Sequence, residues 1–391
     1  MKKKQKLMLL VVILLAANMR GPITGVGALT ALIRADLGVS NAVMGMLTTI
    51  PMLVFAVVSL AATPISRRLG LGNTLLGGLL LILAGELLRS FTNTVGLFLG
   101  TGLLCIGIGL ENVLLVSLIK LRFSDNPAPA TSAYSTTMAL TAAISIGSGL
   151  WLAQRVGLGW RGALAVWAVV AVVSIAVWAP QARRPENQAQ SDSRGSSCLK
   201  PMLCSLRTWE LTVFMGTQSM LFYCITAWGP TILQSKGFTM EQASAAATFL
   251  QVVSLPITLG APLLTRHFSA RNMLLLLNIM YVAGGAMYCL SDNMVVIYLG
   301  MLIFAQGMGS GFSFCILFYS LRTRNAVQAS TLSGIAQCGG YLLAAIGPVV
   351  MGKLADLTGA WNIPMAFLGV VLAIMFVSSI MSAREGFVLK E

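Results

Sequence analysis

Charged residues are scarce in this chain, and acidic residues and histidine are the scarcest of all. Asp and Glu together number 12, His occurs once, and charged residues make up 10% of the 391 positions. A soluble domain carries about 25% charged residues. The seven cysteines have no metal-ligand spacing, and no Walker-type phosphate loop occurs. The sequence therefore argues against a soluble domain, predicts no metal and no cofactor, and offers no site for ATP.

Apolar residues take the place of the missing charges. They form 57% of the chain, and the mean hydropathy is +0.84. A membrane span needs about 20 apolar residues. The sequence predicts an all-α membrane protein with 12 transmembrane helices, at about 7–34, 41–65, 71–91, 94–121, 129–154, 160–179, 208–235, 240–265, 272–290, 294–321, 327–352 and 362–383.

The net charge of +14 follows the loops of this predicted topology. With a cytoplasmic amino terminus, most of the 26 Lys and Arg residues fall in inner loops or at inner span ends. This positive-inside asymmetry predicts a multi-pass protein of the inner membrane with both termini in the cytoplasm. A nucleic-acid footprint would cluster on one soluble face. The expected partner is therefore the lipid bilayer and not nucleic acid.

The second half of the chain repeats the first at an offset of 200 residues. Glycine is the most frequent residue among the matched positions, since Gly100, Gly107, Gly109 and Gly147 return as Gly300, Gly307, Gly309 and Gly347. Glycines are typical of helices that pack closely in membranes. We predict two pseudo-symmetric six-helix bundles, residues 1–180 and 208–391, joined by a cytoplasmic linker at 181–207. Secondary transporters have such repeats, with the substrate site where the halves meet.

Two loops resemble the loop of the major facilitator superfamily that normally reads Gly-x-x-x-Asp-Arg-x-Gly. They are Pro64–Gly70, after the second span, and Pro262–His267, after the eighth. In this chain Thr63 replaces the first Gly and Arg67 replaces the Asp. The Asp of the family contacts a helix N-terminus, so that particular contact is not expected here.

Four segments resemble one branch of that superfamily, the cyanate permeases and 2-nitroimidazole exporters. They are Asn18–Thr24, Asn112–Lys120, Tyr223–Pro230 and Ser333–Pro348, in the first, fourth, seventh and eleventh spans. The resemblance covers nearly the whole chain. It implies the major facilitator fold, a monomeric transporter, and a cavity lined by the first, fourth, seventh and tenth spans. Glu111 stands where the branch usually has Gly.

Two ionisable residues are predicted near the middle of a span, Arg20 in the first and Glu111 in the fourth. A charge there costs about 2.5–3.5 kcal/mol on insertion scales, so it should face protein or a water-filled cavity. Arg20 is expected either to clamp a polar or anionic substrate through parallel hydrogen bonds or to pair with Glu111. Glu111 is then either a proton carrier or a counter-ion to Arg20.

Polar and aromatic residues complete the predicted substrate site. Thr24 belongs to the motif of the first span, and Asn112 adjoins Glu111 but points about 100° away around the helix. The second half offers Tyr223, Trp228, Gln251, Gln306, Gln337 and Tyr341. These side chains either hold a polar substrate and cover its flat face, or link helices and form interface belts. Gly229-Pro230 is predicted to break the seventh span and supply a gate.

Some features favour a purely structural interpretation. Glu86 and Arg89 lie three apart near the outer end of the third span, a spacing that allows a pair. We expect this pair to reach the outer interface, where charge costs little. Gly147 and Gly347-Pro348 are expected to be either hinges or packing points between helices, and packing is the favoured interpretation.

We therefore predict a secondary transporter that carries a small polar or anionic solute by alternating access, with proton coupling through Glu111 as a hypothesis. Uptake of a cyanate-like or organic anion and export of drugs or nitroheterocycles are the alternatives within transport. A membrane sensor that does not transport is the alternative of another class, and the lack of a soluble output domain argues against it. No clustered nucleophile and base occur, so the protein is predicted not to be an enzyme.

Overall fold

Twelve long helices make up nearly all of the regular structure in the computed structural model, which describes residues 3–38, 41–91, 93–184 and 198–389. They are α1 Lys3–Leu37, α2 Asn41–Leu69, α3 Leu71–Phe91, α4 Thr94–Arg122, α5 Ala128–Leu150, α6 Gly159–Ala182, α7 Leu206–Ser235, α8 Met240–Leu264, α9 Ala270–Leu290, α10 Met294–Leu321, α11 Ala326–Thr358 and α12 Asn362–Ser382. A π-helical turn, Trp151–Arg155, follows α5, and a short helix, Leu199–Leu203, precedes α7. Each helix corresponds to one predicted span, so the all-α prediction is confirmed. Residues 185–197 of the predicted linker lie outside the described residues.

Eleven of these helices are long and apolar enough to cross a membrane, and α7 is the long helix that is missing from this group. Its middle carries Gln218 beside several hydroxyl residues, which lower its apolarity. Gln218 is buried in the structure, as are the hydroxyl residues Thr212, Thr217 and Ser219. Polar residues that neighbouring helices cover do not contact lipid. The low apolarity of α7 therefore does not prevent it from crossing the membrane.

The described helices divide into two compact units. One unit contains α1–α6 and the first part of α11, up to Gly334, and the other contains α7–α10, the rest of α11 and α12. The boundaries proposed from the sequence, 1–180 and 208–391, stay a prediction.

Equivalent caps start α4 and α10. The side-chain oxygen of Asn93 accepts a hydrogen bond from the backbone N–H of Gly96 at 3.1 Å. The side-chain oxygen of Asn293 accepts from Val295 at 2.9 Å. Such caps satisfy backbone donors that the first helical turn leaves free. The two asparagines are 200 residues apart, so the internal repeat extends to the capping residues.

The repeated glycines pack the third helix of each unit against the fourth. A Cβ on Gly100 would lie 2.6 Å from the carbonyl oxygen of Gly85, and a Cβ on Gly300 would lie 3.0 Å from that of Gly284. Gly107 likewise faces the Gly78 carbonyl. Backbones approach this closely only where side chains are absent.

The next glycines of the repeat bring in the second helix of each unit. A Cβ on Gly109 would lie 3.0 Å from a methyl group of Val58 on α2. A Cβ on Gly309 would lie 3.0 Å from a methyl group of Ile257 on α8. At these three pairs of glycines, the 200-residue repeat is therefore a repeat of helix contacts.

Substitution of Gly100 by Ala tests this packing. A Cβ there would lie 2.5 Å from the backbone nitrogen of Arg89, so α3 and α4 must separate. Overpacking of this kind costs about 1–3 kcal/mol. We expect Gly100→Ala and Gly300→Ala to lower the melting temperature of the purified protein in detergent.

The matched control is Gly102→Ala, because a Cβ at Gly102 on the same helix would meet nothing within 4 Å. Alanine favours a helix over glycine by about 1 kcal/mol, so this variant should melt at the same temperature as the wild type or higher. Equal melting temperatures for Gly100→Ala and Gly102→Ala would contradict the packing argument.

Candidate functional site

Arg20 lies midway along α1 and is partly exposed. The backbone around it is held from two sides. Ser145 on α5 donates a hydrogen bond to the carbonyl of Gly21 at 2.6 Å, and Gly21 packs on the ring of Trp167 on α6. The hydroxyl of Thr24 donates to the carbonyl of Arg20 at 3.0 Å. The turn that carries Arg20 is thus fixed within its unit, while Thr24 uses its hydroxyl in the same turn.

Glu111 lies on α4 with 0% of its surface exposed. Its side chain covers Gly78 on α3, with Cγ 3.3 Å and Oε1 3.6 Å from the position of a Cβ on that glycine. Neither carboxyl oxygen has a hydrogen-bond partner among the described residues. The structure therefore does not show the hydrogen-bonded pair with Arg20 that one interpretation of the sequence expected. The missing side chain at Gly78 leaves space on α3, and Glu111 occupies it.

Asn112 is also buried, and it contacts a different helix. The hydroxyl of Tyr134 on α5 donates a hydrogen bond to the side-chain oxygen of Asn112 at 3.1 Å. Adjacent residues on a helix point about 100° apart. Glu111 and Asn112 consequently connect α4 to α3 and to α5, respectively.

Glu86 and Arg89 form a pair that lies inside the protein. Arg89 Nη2 is 3.5 Å from Glu86 Oε1, and both side chains are 0% exposed. The expectation that the pair extends to the outer interface is therefore wrong. Gly100 lets α3 approach α4 so closely that residues 86 and 89 are covered. The signal in the sequence was the repeated glycine opposite them.

Trp228, on α7, has its polar atom engaged within its own unit. Its indole N–H donates to the carbonyl of Pro348 on α11 at 2.9 Å. Its ring centroid lies 5.4 Å from that of Trp361, at an interplanar angle of 45°. Tyr223, on the same helix, is partly exposed, and its ring meets Phe222 edge-on at 5.4 Å.

The predicted glutamines of the second half fall into two places. Gln306 on α10 donates to the Leu302 carbonyl at 2.9 Å and approaches the Val253 carbonyl on α8 at 3.5 Å. Gln251, two residues before Val253 on α8, is partly exposed. Gln337 and Tyr341 are both buried on α11, four residues apart. Gln251 and Gln306 thus belong to one region, and Gln337 and Tyr341 to another.

The two proline-containing motifs do not interrupt their helices. α7 continues through Gly229-Pro230, and α1 continues through Gly21-Pro22. The expectation that Gly229-Pro230 breaks the helix is therefore wrong. Transmembrane helices tolerate proline, because neighbouring groups and local adjustment of the helix can satisfy the backbone carbonyl that proline leaves without a donor.

The two repeated glycines assigned to packing behave differently. A Cβ on Gly347 would meet the side chains of Met220 and Cys224 on α7, and the Cys224 Sγ would be 2.7 Å away. Gly347 is therefore the packing point that we expected. A Cβ on Gly147 would meet nothing within 4 Å, so the packing interpretation of Gly147 is wrong.

Two helical units with repeated glycine contacts, and a partly exposed arginine midway along the first helix, define a multi-pass membrane protein of the secondary-transporter class. The chain belongs to the Major Facilitator Superfamily, whose family profile matches residues 8–344. Members of this superfamily transport small solutes and are not enzymes. The predictions of fold, transport function and lack of enzymatic activity are thereby confirmed.

Three relatives show which branch of the superfamily the chain is similar to. The chain is 37% identical to the uncharacterized transporter YycB of Bacillus subtilis (strain 168), over 96% of this chain and 93% of that protein. It is 34% identical to the 2-nitroimidazole transporter of Escherichia coli (strain K12), over 96% and 94%. It is 25% identical to the cyanate transport protein CynX of the same strain, over 92% and 93%. The prediction of the cyanate and nitroimidazole branch is confirmed.

A solved structure supports the fold. The transporter FucP in its outward conformation matches with a TM-score of 0.76 over 98% of this chain and 99% of FucP. The sequence identity is 14%, so this likeness shows the fold alone.

Substitution of Trp228 by Phe tests whether its N–H serves the structure. The variant keeps an aromatic ring but loses the hydrogen bond to Pro348, worth about 0.5–1.5 kcal/mol. We expect a lower melting temperature for the purified protein. Trp151→Phe is the control, because Trp151 is 58% exposed and should tolerate the change. Unchanged melting of Trp228→Phe would show that the hydrogen bond contributes nothing to stability.

Proposed function

We propose that this protein carries a small polar or anionic solute across the inner membrane by alternating access, with Arg20 as its principal anchor. The observation that supports this proposal is the partial exposure of Arg20 at the midpoint of α1. An arginine that faced lipid at this depth would cost several kcal/mol. Its exposed part therefore suits a water-filled path, where a guanidinium group can bind a passing solute.

The names of the relatives indicate the chemistry of the solute. One relative is named for 2-nitroimidazole and another for cyanate. A nitro group and a cyanate ion both present compact acceptor atoms that carry negative charge. The planar guanidinium group of Arg20 offers several donors in a fixed geometry, which suits such acceptors. We therefore favour a compact solute with an anionic or nitro group.

Glu111 supports the hypothesis of proton coupling. A buried carboxylate without a hydrogen-bond partner is costly, and a proton removes that charge. In a state where water or Arg20 reaches the carboxyl group, the charged form costs less. Alternation between the buried state, which favours the protonated carboxyl group, and this second state would load and release a proton. A counter-ion for Arg20 in another state is the structural role that the same residue can fill.

The remaining features of the proposal concern topology and assembly. The distribution of Lys and Arg supports cytoplasmic termini. The bacterial relatives support a location in the inner membrane. We propose that the protein acts as a monomer, with bundles at 1–180 and 208–391. Besides Arg20 and Glu111, the proposed solute contacts are Thr24, Asn112, Tyr223, Trp228, Gln251, Gln306, Gln337 and Tyr341.

Ligand-induced stabilisation of Arg20 variants tests the anchor. We expect cyanate, benzoate or 2-nitroimidazole to raise the melting temperature of the wild-type protein. In Arg20→Ala the apparent affinity should fall about 10- to 100-fold, because a hydrogen bond to a charged group contributes about 1.5–3 kcal/mol. Arg161→Ala is the control, because Arg161 pairs with Asp36 at the surface, with its side chain 39% exposed.

Stabilisation by 2-nitroimidazole that persists in Arg20→Ala would contradict the anchor. It would favour the second candidate function, export of a neutral nitroheterocycle that binds to the aromatic residues of the second half. The 34% identity to the 2-nitroimidazole transporter is the observation that keeps this candidate open.

Proton coupling is tested in proteoliposomes with an imposed pH gradient. We expect Glu111→Gln to abolish accumulation driven by the gradient while exchange of labelled for unlabelled solute continues, because only the net proton movement is lost. Glu210→Gln is the control, since Glu210 is a partly exposed carboxyl group near the start of α7, outside the proposed solute site. Equal gradient-driven rates for the wild type and Glu111→Gln would remove Glu111 from coupling.

A further inference from the structure

A buried side chain of α3 donates a hydrogen bond to the backbone of α1 at its proline. Nη1 of Arg89 lies 2.8 Å from the carbonyl oxygen of Pro22. Arg89 is completely buried and pairs with Glu86 on the same helix. Neither residue belongs to the proposed solute site. This polar contact inside the first unit therefore requires its own explanation.

The second unit contains a similar contact, made by a different donor and accepted by the glycine of the step instead of the proline. The hydroxyl of Tyr288 on α9 donates a hydrogen bond to the carbonyl of Gly229 on α7, at 3.2 Å. Gly229 precedes Pro230, as Gly21 precedes Pro22. In each unit, then, the third helix donates to a carbonyl at the Gly-Pro step of the first helix.

Arg89 and Tyr288 occupy the same place relative to the repeated glycines. A Cβ on Gly100 would lie 2.5 Å from the backbone nitrogen of Arg89, and a Cβ on Gly300 would lie 2.9 Å from that of Tyr288. Arginine and tyrosine share no charge and little shape, but both donate a hydrogen bond from the end of a long side chain. What the two units share at this position is a side chain that donates a hydrogen bond.

A Gly-Pro step is a point where a helix bends easily. Proline lacks an N–H and removes one helical hydrogen bond, and glycine lowers the local helix propensity further. Kinks in long helices concentrate at such places. The third helix, in contrast, is fixed on the fourth through close glycine contacts. A donor from the third helix therefore attaches the soft step to a closely packed helix pair of its unit.

We propose that Arg89 and Tyr288 are positioning residues for transport. Each one clamps the Gly-Pro step of α1 or α7 to the adjacent third helix, so that the step moves with the pair α3–α4 or α9–α10 as one body. Without the clamp, the step loses its attachment to the pair, although Ser145 on α5 still holds α1 at Gly21 in the first unit. The conformational change that carries solute across the membrane then slows. The clamps act on the rate of this change and not on solute contact.

Two tyrosines on α9 provide a closely matched comparison. Tyr288 and Tyr281 are both buried and both pack on Phe304, with ring centroids 6.4 Å and 4.4 Å away. The hydroxyl of Tyr281 has no hydrogen-bond partner among the described residues, whereas that of Tyr288 reaches Gly229. Substitution by Phe removes one hydroxyl in each case, and only Tyr288→Phe removes the clamp.

Hydrogen exchange of the full-length protein in nanodiscs measures the effect of the clamp on backbone opening without any solute. We expect backbone amides in peptides that span 226–235 to exchange about three- to tenfold faster in Tyr288→Phe than in the wild type, because one net hydrogen bond is lost. The same peptides in Tyr281→Phe should exchange at the wild-type rate. Wild-type exchange in Tyr288→Phe, or equal acceleration in both variants, would overturn the proposal.

Transport kinetics distinguish positioning from a general structural role. We expect Tyr288→Phe and Arg89→Met to lower the maximum rate of 2-nitroimidazole or cyanate exchange in proteoliposomes by about three- to tenfold, with the half-saturating concentration within about twofold of the wild type. Arg89→Lys keeps a donor and a positive charge beside Glu86, and it should restore most of the rate. Tyr281→Phe should behave as the wild type.

A rise in half-saturating concentration at an unchanged maximum rate would overturn the proposal, because it would place these residues in solute binding. Should Arg89→Met fail to fold, Tyr288→Phe still decides the question. Should the wild type transport neither solute, the proposed solute class would be wrong, and the exchange comparison of the two tyrosine variants would still decide whether the clamp exists.

Discussion

Close backbone contact between the third and fourth helices of each unit is the constraint on which the other features depend. Lipid tails are as apolar as leucine, so membrane helices gain little from hydrophobic burial against one another and rely on close packing instead. Gly85 with Gly100, and Gly284 with Gly300, provide that packing. The same contacts orient Arg89 and Tyr288 toward the first helix of each unit and cover Glu86.

The ionisable residues of the first unit are distributed according to this packing. Glu86, Arg89 and Glu111 are buried, whereas Arg20 is partly exposed. Buried charge is expensive in a membrane protein, and the structure reduces its cost through the Glu86–Arg89 pair and the hydrogen bond to Pro22. Glu111 has no hydrogen-bond partner for either carboxyl oxygen among the described residues, and this is why we propose it as the proton carrier.

Much of the fold follows from local properties that the sequence carries. Long apolar runs, interrupted by short polar loops, predicted the number and order of the helices, because a bilayer admits few other structures. The repeated glycines indicated two related halves, and the motif residues of the first, fourth, seventh and eleventh spans indicated the family. Gln218 and its neighbours made α7 resemble a weaker span, because composition does not show that other helices cover them.

The sequence by itself determined which residues are charged, which helices contain proline and where glycine allows close approach. Only the tertiary structure decided what those residues touch. Glu111 turns toward Gly78 rather than to Arg20, Arg89 reaches Pro22 rather than the outer interface, and the N–H of Trp228 binds Pro348. The physical reason is that a contact between helices depends on the rotation and separation of both. Spacing along one helix reports neither quantity.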